Sequence, residues 1–261
     1  MTGDRRVLIL MILWRYLSVS LFIVFFNLTT TPLSDAGSFE VSPIRVTLSP
    51  QTSSILISVR NKDKEKLRVQ VETVGWNQSK KGEMLLAPTK DIAFYPSLLS
   101  MEPGEARKIR VAARTAVGSV EKTYRIFIAE LPDATKTNRP AIRMLTRFSI
   151  PIFLQPEKSR AQVQVGQLSV RGREVFFELT NKGNSHSFPR DITINGIDAR
   201  GGLTFENHVP PWYVLAGGAR EFRGEIPKNE CPKTTTISLH VDLKGKTLVE
   251  NLQLPTNACM L

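Results

Sequence analysis

The sequence predicts an all-β protein built as two tandem immunoglobulin-like β-sandwiches, and three observations carry that expectation. Helical periodicity is scarce, whereas short runs that alternate apolar and polar residues recur along the whole chain. Turn formers such as Asn-Lys-Asp, Lys-Lys-Gly, Glu-Pro-Gly and Pro-Asp stand between those runs. Gln155-Pro156-Glu157-Lys158-Ser159 then breaks the rhythm, and a second series of strand-like segments begins after it.

The first 36 residues are set apart from the fold. Arg5 and Arg6 precede 7-VLILMILW-14, Arg15 interrupts, and 16-YLSVSLFIVFF-26 completes an apolar region. The small residues Ser34 and Ala36 in 34-SDA-36 match a signal-peptidase site, which predicts a signal peptide over 1–36 and a mature start at Gly37. An uncleaved anchor is the alternative, because the apolar stretch is near spanning length. The leader holds three arginines and two aspartates, so +10 of the whole-chain +11 falls on the mature chain.

The first sandwich is expected over 37–154. Its strands read as 38-SFEVSPIRVTLSP-50, 54-SILISVRN-61, 66-KLRVQVETVGW-76, 91-DIAFYPSLLSM-101, 105-EARKIRVAA-113, 122-KTYRIFIAEL-131 and 142-IRMLTRFSIPIFL-154. Seven such segments with turns between them fit an immunoglobulin-like sandwich. A linker follows at 155–160. The second sandwich, over 161–261, reads as strands at 161-AQVQVGQLSV-170, 174-EVFFELTN-181, 191-DITINGI-197, 220-REFRGEI-226, 235-TTISLHVDL-243 and 247-TLVENLQL-254, with 200-RGGLTF-205 as a connector.

Several kinds of chemistry find no support. The basic surplus is dispersed, and its densest stretch, 60-RNKDKEKLR-68, interleaves acids, so nucleic-acid binding is not expected. A basic surface of this kind suits acidic or carboxylate-bearing partners. No GxSxG elbow, HExxH, phosphate-binding loop or dinucleotide fingerprint occurs, and the histidines His186, His208 and His240 stand in three different segments. No catalytic residue, cofactor, metal or small-molecule substrate is expected. Cys231 and Cys259 are the only cysteines, an even count that suggests one disulfide in an exported chain. Without CxxC spacing or neighbouring histidines they make a poor zinc site.

One segment resists a plain structural explanation. In 143-RMLTRFSIPIFLQP-156, Met144, Thr146, Phe148, Ile150 and Ile152 alternate with Arg143, Leu145, Arg147, Ser149 and Phe153. Both faces carry apolar residues, and Pro151 lacks an N–H, which places it on an edge strand or a bulge. An apolar edge invites pairing with another chain. Packing inside the protein's own sandwich is the competing explanation.

Four pieces of the sequence together resemble the PapD-like chaperones of the chaperone–usher pathway. They are 42-SPIRVTLSP-50, 101-MEPGEARKIRV-111, 121-EKTYRIFIAELP-132 and 142-IRMLTRFSIPIFLQP-156, in that order. The resemblance covers the first half well and the second by length and style, and the SIPIF wording is similar to the archaic branch of the family. It implies a non-enzymatic periplasmic chaperone that lends its last first-domain strand to a pilus or fimbrial subunit and delivers that subunit to an outer-membrane usher. By position, Ile142, Met144, Thr146, Phe148 and Ile150 are the side chains it implies are donated. Arg45 matches the first-strand arginine that holds the subunit's terminal carboxylate. The family's partner lysine, aligned backwards from Pro156, falls on Pro151, so Arg147 and Arg125 are the substitutes inferred for it. The alternative is an exported immunoglobulin-like module built into a surface structure as a structural or adhesive part.

Overall fold

The computed structural model describes residues 39–132 and 144–255. Strands, numbered in chain order, form four sheets. In the first half, β1 (Phe39–Ser42), β3 (Ser54–Asn61), β8 (Ala106–Ala113) and β6 (Ile92–Tyr95) make one sheet in the order β1-β3-β8-β6. Facing it, β2 (Val46–Leu48), β10 (Arg147–Leu154), β9 (Lys122–Glu130), β4 (Leu67–Gln78) and β5 (Met84–Pro88) follow the order β2-β10-β9-β4-β5, and β7 (Leu98–Met101) also pairs with β4. Alternation explains why these segments are strands. In β4, Leu67, Val69, Val71 and Thr73 are buried while Arg68, Gln70 and Glu72 face outward. The inward residues meet Ile57, Val59, Ile109 and Val111 of the opposite sheet in one apolar core. Burying each large apolar side chain contributes roughly 1.5–3 kcal/mol, which is what holds the two sheets face to face.

The second half repeats this with fewer strands. One sheet is β11 (Val163–Arg171), β12 (Glu174–Asn181) and β15 (Ala219–Glu225). The other runs in the order β14 (Leu203–His208), β13 (Asp191–Ile197), β16 (Thr236–Leu243) and β17 (Lys246–Gln253). Among the described residues there is no α-helix, and the protein is all-β with two immunoglobulin-like sandwiches. Cys231 is buried in the second core; Cys259, and the leader with its cleavage site, lie outside the described residues.

Four boundaries depart from the sequence-based expectation. The segment 38–50 is not one strand: Pro43, which has no N–H to give a ladder, stands between β1 and β2, and these join different sheets. The segment 91–101 divides the same way into β6 and β7 around Pro96. Met84–Pro88 was not expected as a strand, because all five of its residues are exposed and no alternation marks it. Leu203–His208, read as a turn, is an edge strand paired with β13.

The two sandwiches meet through an aromatic cluster. Trp76 and Phe153, on the outer face of the β4–β9–β10 sheet, pack against Tyr213 and Leu215 of the second half. Behind this cluster the Glu121 carboxylate, fully covered, lies 2.9 Å from His186 Nδ1. It also accepts hydrogen bonds from the His186 backbone N–H at 3.0 Å and from Gln155 Nε2 at 2.9 Å. The His186 ring stacks on Phe153 with 3.5 Å between centroids. A second clamp comes from the β4–β5 turn. The Glu221 N–H donates to Lys80 O at 2.7 Å, and Arg220 Nη1 donates to Gly82 O at 3.0 Å. Gly82 has φ +86°, a conformation that favours glycine, and a Cβ there would come within 2.6 Å of the Arg220 guanidinium carbon, so that arginine would have to move.

Candidate functional site

The site follows from strand register. Ile152 lies beside Val46 in a parallel pair, and both point into the first core. One step back, Arg45, exposed in the bend just before β2, and Pro151, buried, lie on the side away from that core. Pro151 sits opposite Arg125 on β9, and Arg125 sits opposite Val74 on β4. Arg45, Pro151 and Arg125 thus form one row across three neighbouring strands. With strands about 4.8 Å apart, the two arginine Cα atoms are separated by about 10 Å, and a proline stands where a long side chain would otherwise fill the gap.

Tyr213 of the second sandwich joins this row. Arg45 Nε donates to the Tyr213 hydroxyl at 3.0 Å. Its guanidinium also lies 5.3 Å from the Tyr213 ring and 5.6 Å from the Phe188 ring. Arg45 is nevertheless exposed, leaving the rest of its fork free to meet a planar anion.

Arg125 differs. It is 4% exposed, lies 4.0 Å over the Trp76 ring and 5.9 Å from Trp212, and donates from Nη1 to the backbone O and the Oγ of Ser149, each at 3.3 Å. Its Nε and Nη2 have no hydrogen-bond partner among the described residues. Burial pushes its pKa below the ordinary guanidinium value, partly offset by the charge interaction with Tyr213. Arg147 is placed elsewhere. It lies four residues up the strand, exposed, 3.8 Å over the Phe127 ring and 3.9 Å from the Glu72 carboxylate. The structure thus brings Arg45 and Arg125 into one row and leaves Arg147 apart from them.

The predicted donor stripe divides in two. Ile150 is 2% exposed in the first core, and Phe148 packs half-buried against that core with its ring 5.0 Å from Phe39. Met144 is 90% exposed, and half-buried Thr146, just before the strand, accepts from the Glu130 N–H of β9 at 2.9 Å. Ile142 lies outside the described residues. The edge itself changes along β10. Ile152–Leu154 are flanked by β9 on one side and β2 on the other, whereas Arg147–Pro151 pair with β9 alone among the described residues.

Sequence reasoning missed Tyr213, Phe188 and the Glu121–His186 pair. Only the 211-PWY-213 cluster offered a signal, and it belongs to a loop with no periodicity to interpret. His208 lies 3.1 Å from Asp191, and Ser238 Oγ and His240 Nε2 are 3.0 Å apart, so each histidine has its own local partner. No group of three or more His, Cys, Asp or Glu able to hold a metal occurs among the described residues.

Two all-β sandwiches with a cation-bearing row at their junction give the setting for the comparisons with known proteins. Residues 38–160 match the family model described as the pili and flagellar-assembly chaperone, PapD N-terminal domain. This first half of the chain belongs to that family, whose members are assembly chaperones without catalytic activity. No curated protein matches the chain by sequence. Among solved structures, the chain is similar to one from the CsuC–CsuE chaperone–tip adhesion subunit pre-assembly complex of the archaic chaperone–usher Csu pili of Acinetobacter baumannii. That match has a TM-score of 0.55 at 16% identity and covers 82% of this chain and 98% of that one. A chain from the Salmonella enterica SafA pilin–SafB chaperone complex aligns with a TM-score of 0.55 at 12% identity, over 83% of this chain and 96% of that one. The E. coli chaperone DraB aligns with a TM-score of 0.52 at 15% identity, over 84% and 98%. At these identities the likeness is one of fold.

Proposed function

We propose that this protein is an exported periplasmic chaperone that stabilises pilus or fimbrial subunits by lending them a strand and passes them to an outer-membrane usher. The observation that carries this reading is the half-paired strand β10. Its Arg147–Pro151 portion pairs with β9 on one side and leaves the other edge without a partner strand among the described residues, continuous with exposed Met144 and Leu145. An open ladder supplies main-chain hydrogen bonds to an incoming chain, and alternate side chains fill its groove. In this reading Thr146, Met144 and Ile142 are the donated residues, while Phe148 and Ile150 on the same face keep the strand anchored in its own core. Arg45 holds the subunit's terminal carboxylate, and Arg125 adds positive charge from behind the same row. The leader over 1–36 directs export, and Cys231, which is not a free thiol, pairs with Cys259.

The test is co-expression with candidate subunits followed by co-purification. Met144 is almost fully exposed, so Met144→Asp leaves the fold intact while placing a charge where an apolar groove must be filled. Loss of subunit with an unchanged melting curve is expected. If Met144→Asp retains subunit as well as the unmodified protein, the donated-strand mechanism is wrong.

A further inference from the structure

A cavity of about 500 Å³ opens beside Arg45, between the first sandwich and the start of the second. Its lining carries four cations, Arg45, Arg160, Lys244 and Lys246, and no carboxylate. Arg160, Lys244 and Lys246 are exposed and have no ion-pair partner among the described residues. Behind the lining residue His186, the Glu121 side chain is fully covered. Phe188 adds an apolar wall. The cations stand on fixed backbone. Arg160 is held by Asn184, which accepts from its N–H at 2.7 Å and donates to its carbonyl at 3.0 Å. Lys244 and Gly245 form the two-residue turn between β16 and β17, where Gly245 takes φ +83°, and Lys246 follows at the first paired position.

Like charges gathered around a concavity focus positive potential into it and repel one another until an anion arrives. A flat lipid surface cannot enter such a hollow, whereas acidic side chains on an extended peptide can. We propose that this cavity seats acidic side chains of the subunit segment next to its C-terminus, so that Arg160, Lys244 and Lys246 select subunits with carboxylates there. This rests on the chaperone function proposed above and extends it from a generic terminal carboxylate to a class of subunit tails.

The test uses the mature full-length protein and fluorescein-labelled peptides of four glutamates or four glutamines, each ending in an amide so that no terminal carboxylate is present. Tetraglutamate binding that tetraglutamine does not reproduce is expected. Exposed charge pairs are individually weak, so the Arg160→Ala/Lys244→Ala/Lys246→Ala protein should weaken tetraglutamate binding on the order of tenfold. Vesicles of phosphatidylglycerol should not bind through these residues. The proposal is overturned if the triple variant binds tetraglutamate like the unmodified protein, if tetraglutamine binds equally, or if the vesicles alone lose affinity in the variant. Failure of Met144→Asp to release subunit would instead strike the strand-lending mechanism and leave the peptide result standing.

Discussion

Arg45→Ala separates a role in binding from a role in holding the fold. The side chain makes one hydrogen bond to Tyr213 and lies near two rings at an exposed site. A net contribution of about 1 kcal/mol for the hydrogen bond and about 0.5–1 kcal/mol for the ring contacts sets the stability cost at roughly 1.5–2 kcal/mol. A folded domain typically has about 5–15 kcal/mol in hand, so the variant remains folded and its melting temperature falls by a few degrees. Its effect on binding is larger. Removing one partner of a charge pair at an interface costs about 2–5 kcal/mol, much of it from stranding the subunit carboxylate. Every 1.4 kcal/mol is tenfold, so affinity should fall by about 30-fold or more. The assay is a double-mutant cycle with a purified subunit, once with a free C-terminus and once with a C-terminal amide. The unmodified chaperone should lose affinity on amidation, and the Arg45→Ala protein should be indifferent to it. Arg45→Lys should recover part of the loss, since an ammonium lacks the planar fork. If Arg45→Ala loses as much affinity for the amidated subunit as for the free one, the arginine does not grip the carboxylate.

Arg125→Met should leave stability within about 1 kcal/mol of its starting value, because loss of the Trp76 stacking and of the long Nη1 bonds to Ser149 is offset by removal of two unpartnered buried nitrogens, Nε and Nη2. Subunit affinity should nevertheless drop, whereas Arg147→Ala, away from the row, should change neither; a strongly destabilised Arg125→Met would make the arginine a structural pin. Glu121→Ala strands the His186 N–H and the Gln155 amide, so chemical denaturation should show a loss of about 1–3 kcal/mol, and an unchanged midpoint would remove Glu121 from the interface account. His208 is held above its ordinary pKa by its hydrogen bond and charge interaction with Asp191. The resulting stabilisation is therefore present below the ordinary histidine range and fades as pH rises through the elevated value. An NMR titration of Asp191→Asn should bring the His208 midpoint down, and an unmoved midpoint would exclude the pair as the cause. Peptide mapping without reductant should recover Cys231 linked to Cys259, and recovery of both as free thiols ends that pairing.

Alternation in the chain determined most of the strands. Side chains on a strand project to opposite faces, so segments such as 67-LRVQVET-73 and 174-EVFFELTN-181 state their own burial. The same local logic failed where exposure is uniform, as in Met84–Pro88, and where a proline passes the chain from one sheet to the other, as at Pro43. Sequence order and the family resemblance singled out Arg45, Arg125, Arg147 and the strand ending at Leu154. Only the tertiary structure decided which of them lie together. Register places Pro151 between Arg45 and Arg125 and sets Arg147 beside Glu72. It also splits one apolar stripe into Ile150, inside the core, and Met144, outside it. Tyr213 and Phe188 reach Arg45, and Lys244 and Lys246 line the cavity beside it, from sequence positions far along the chain. Contacts of that kind depend on how two sandwiches pack, and no periodicity within a single segment encodes them.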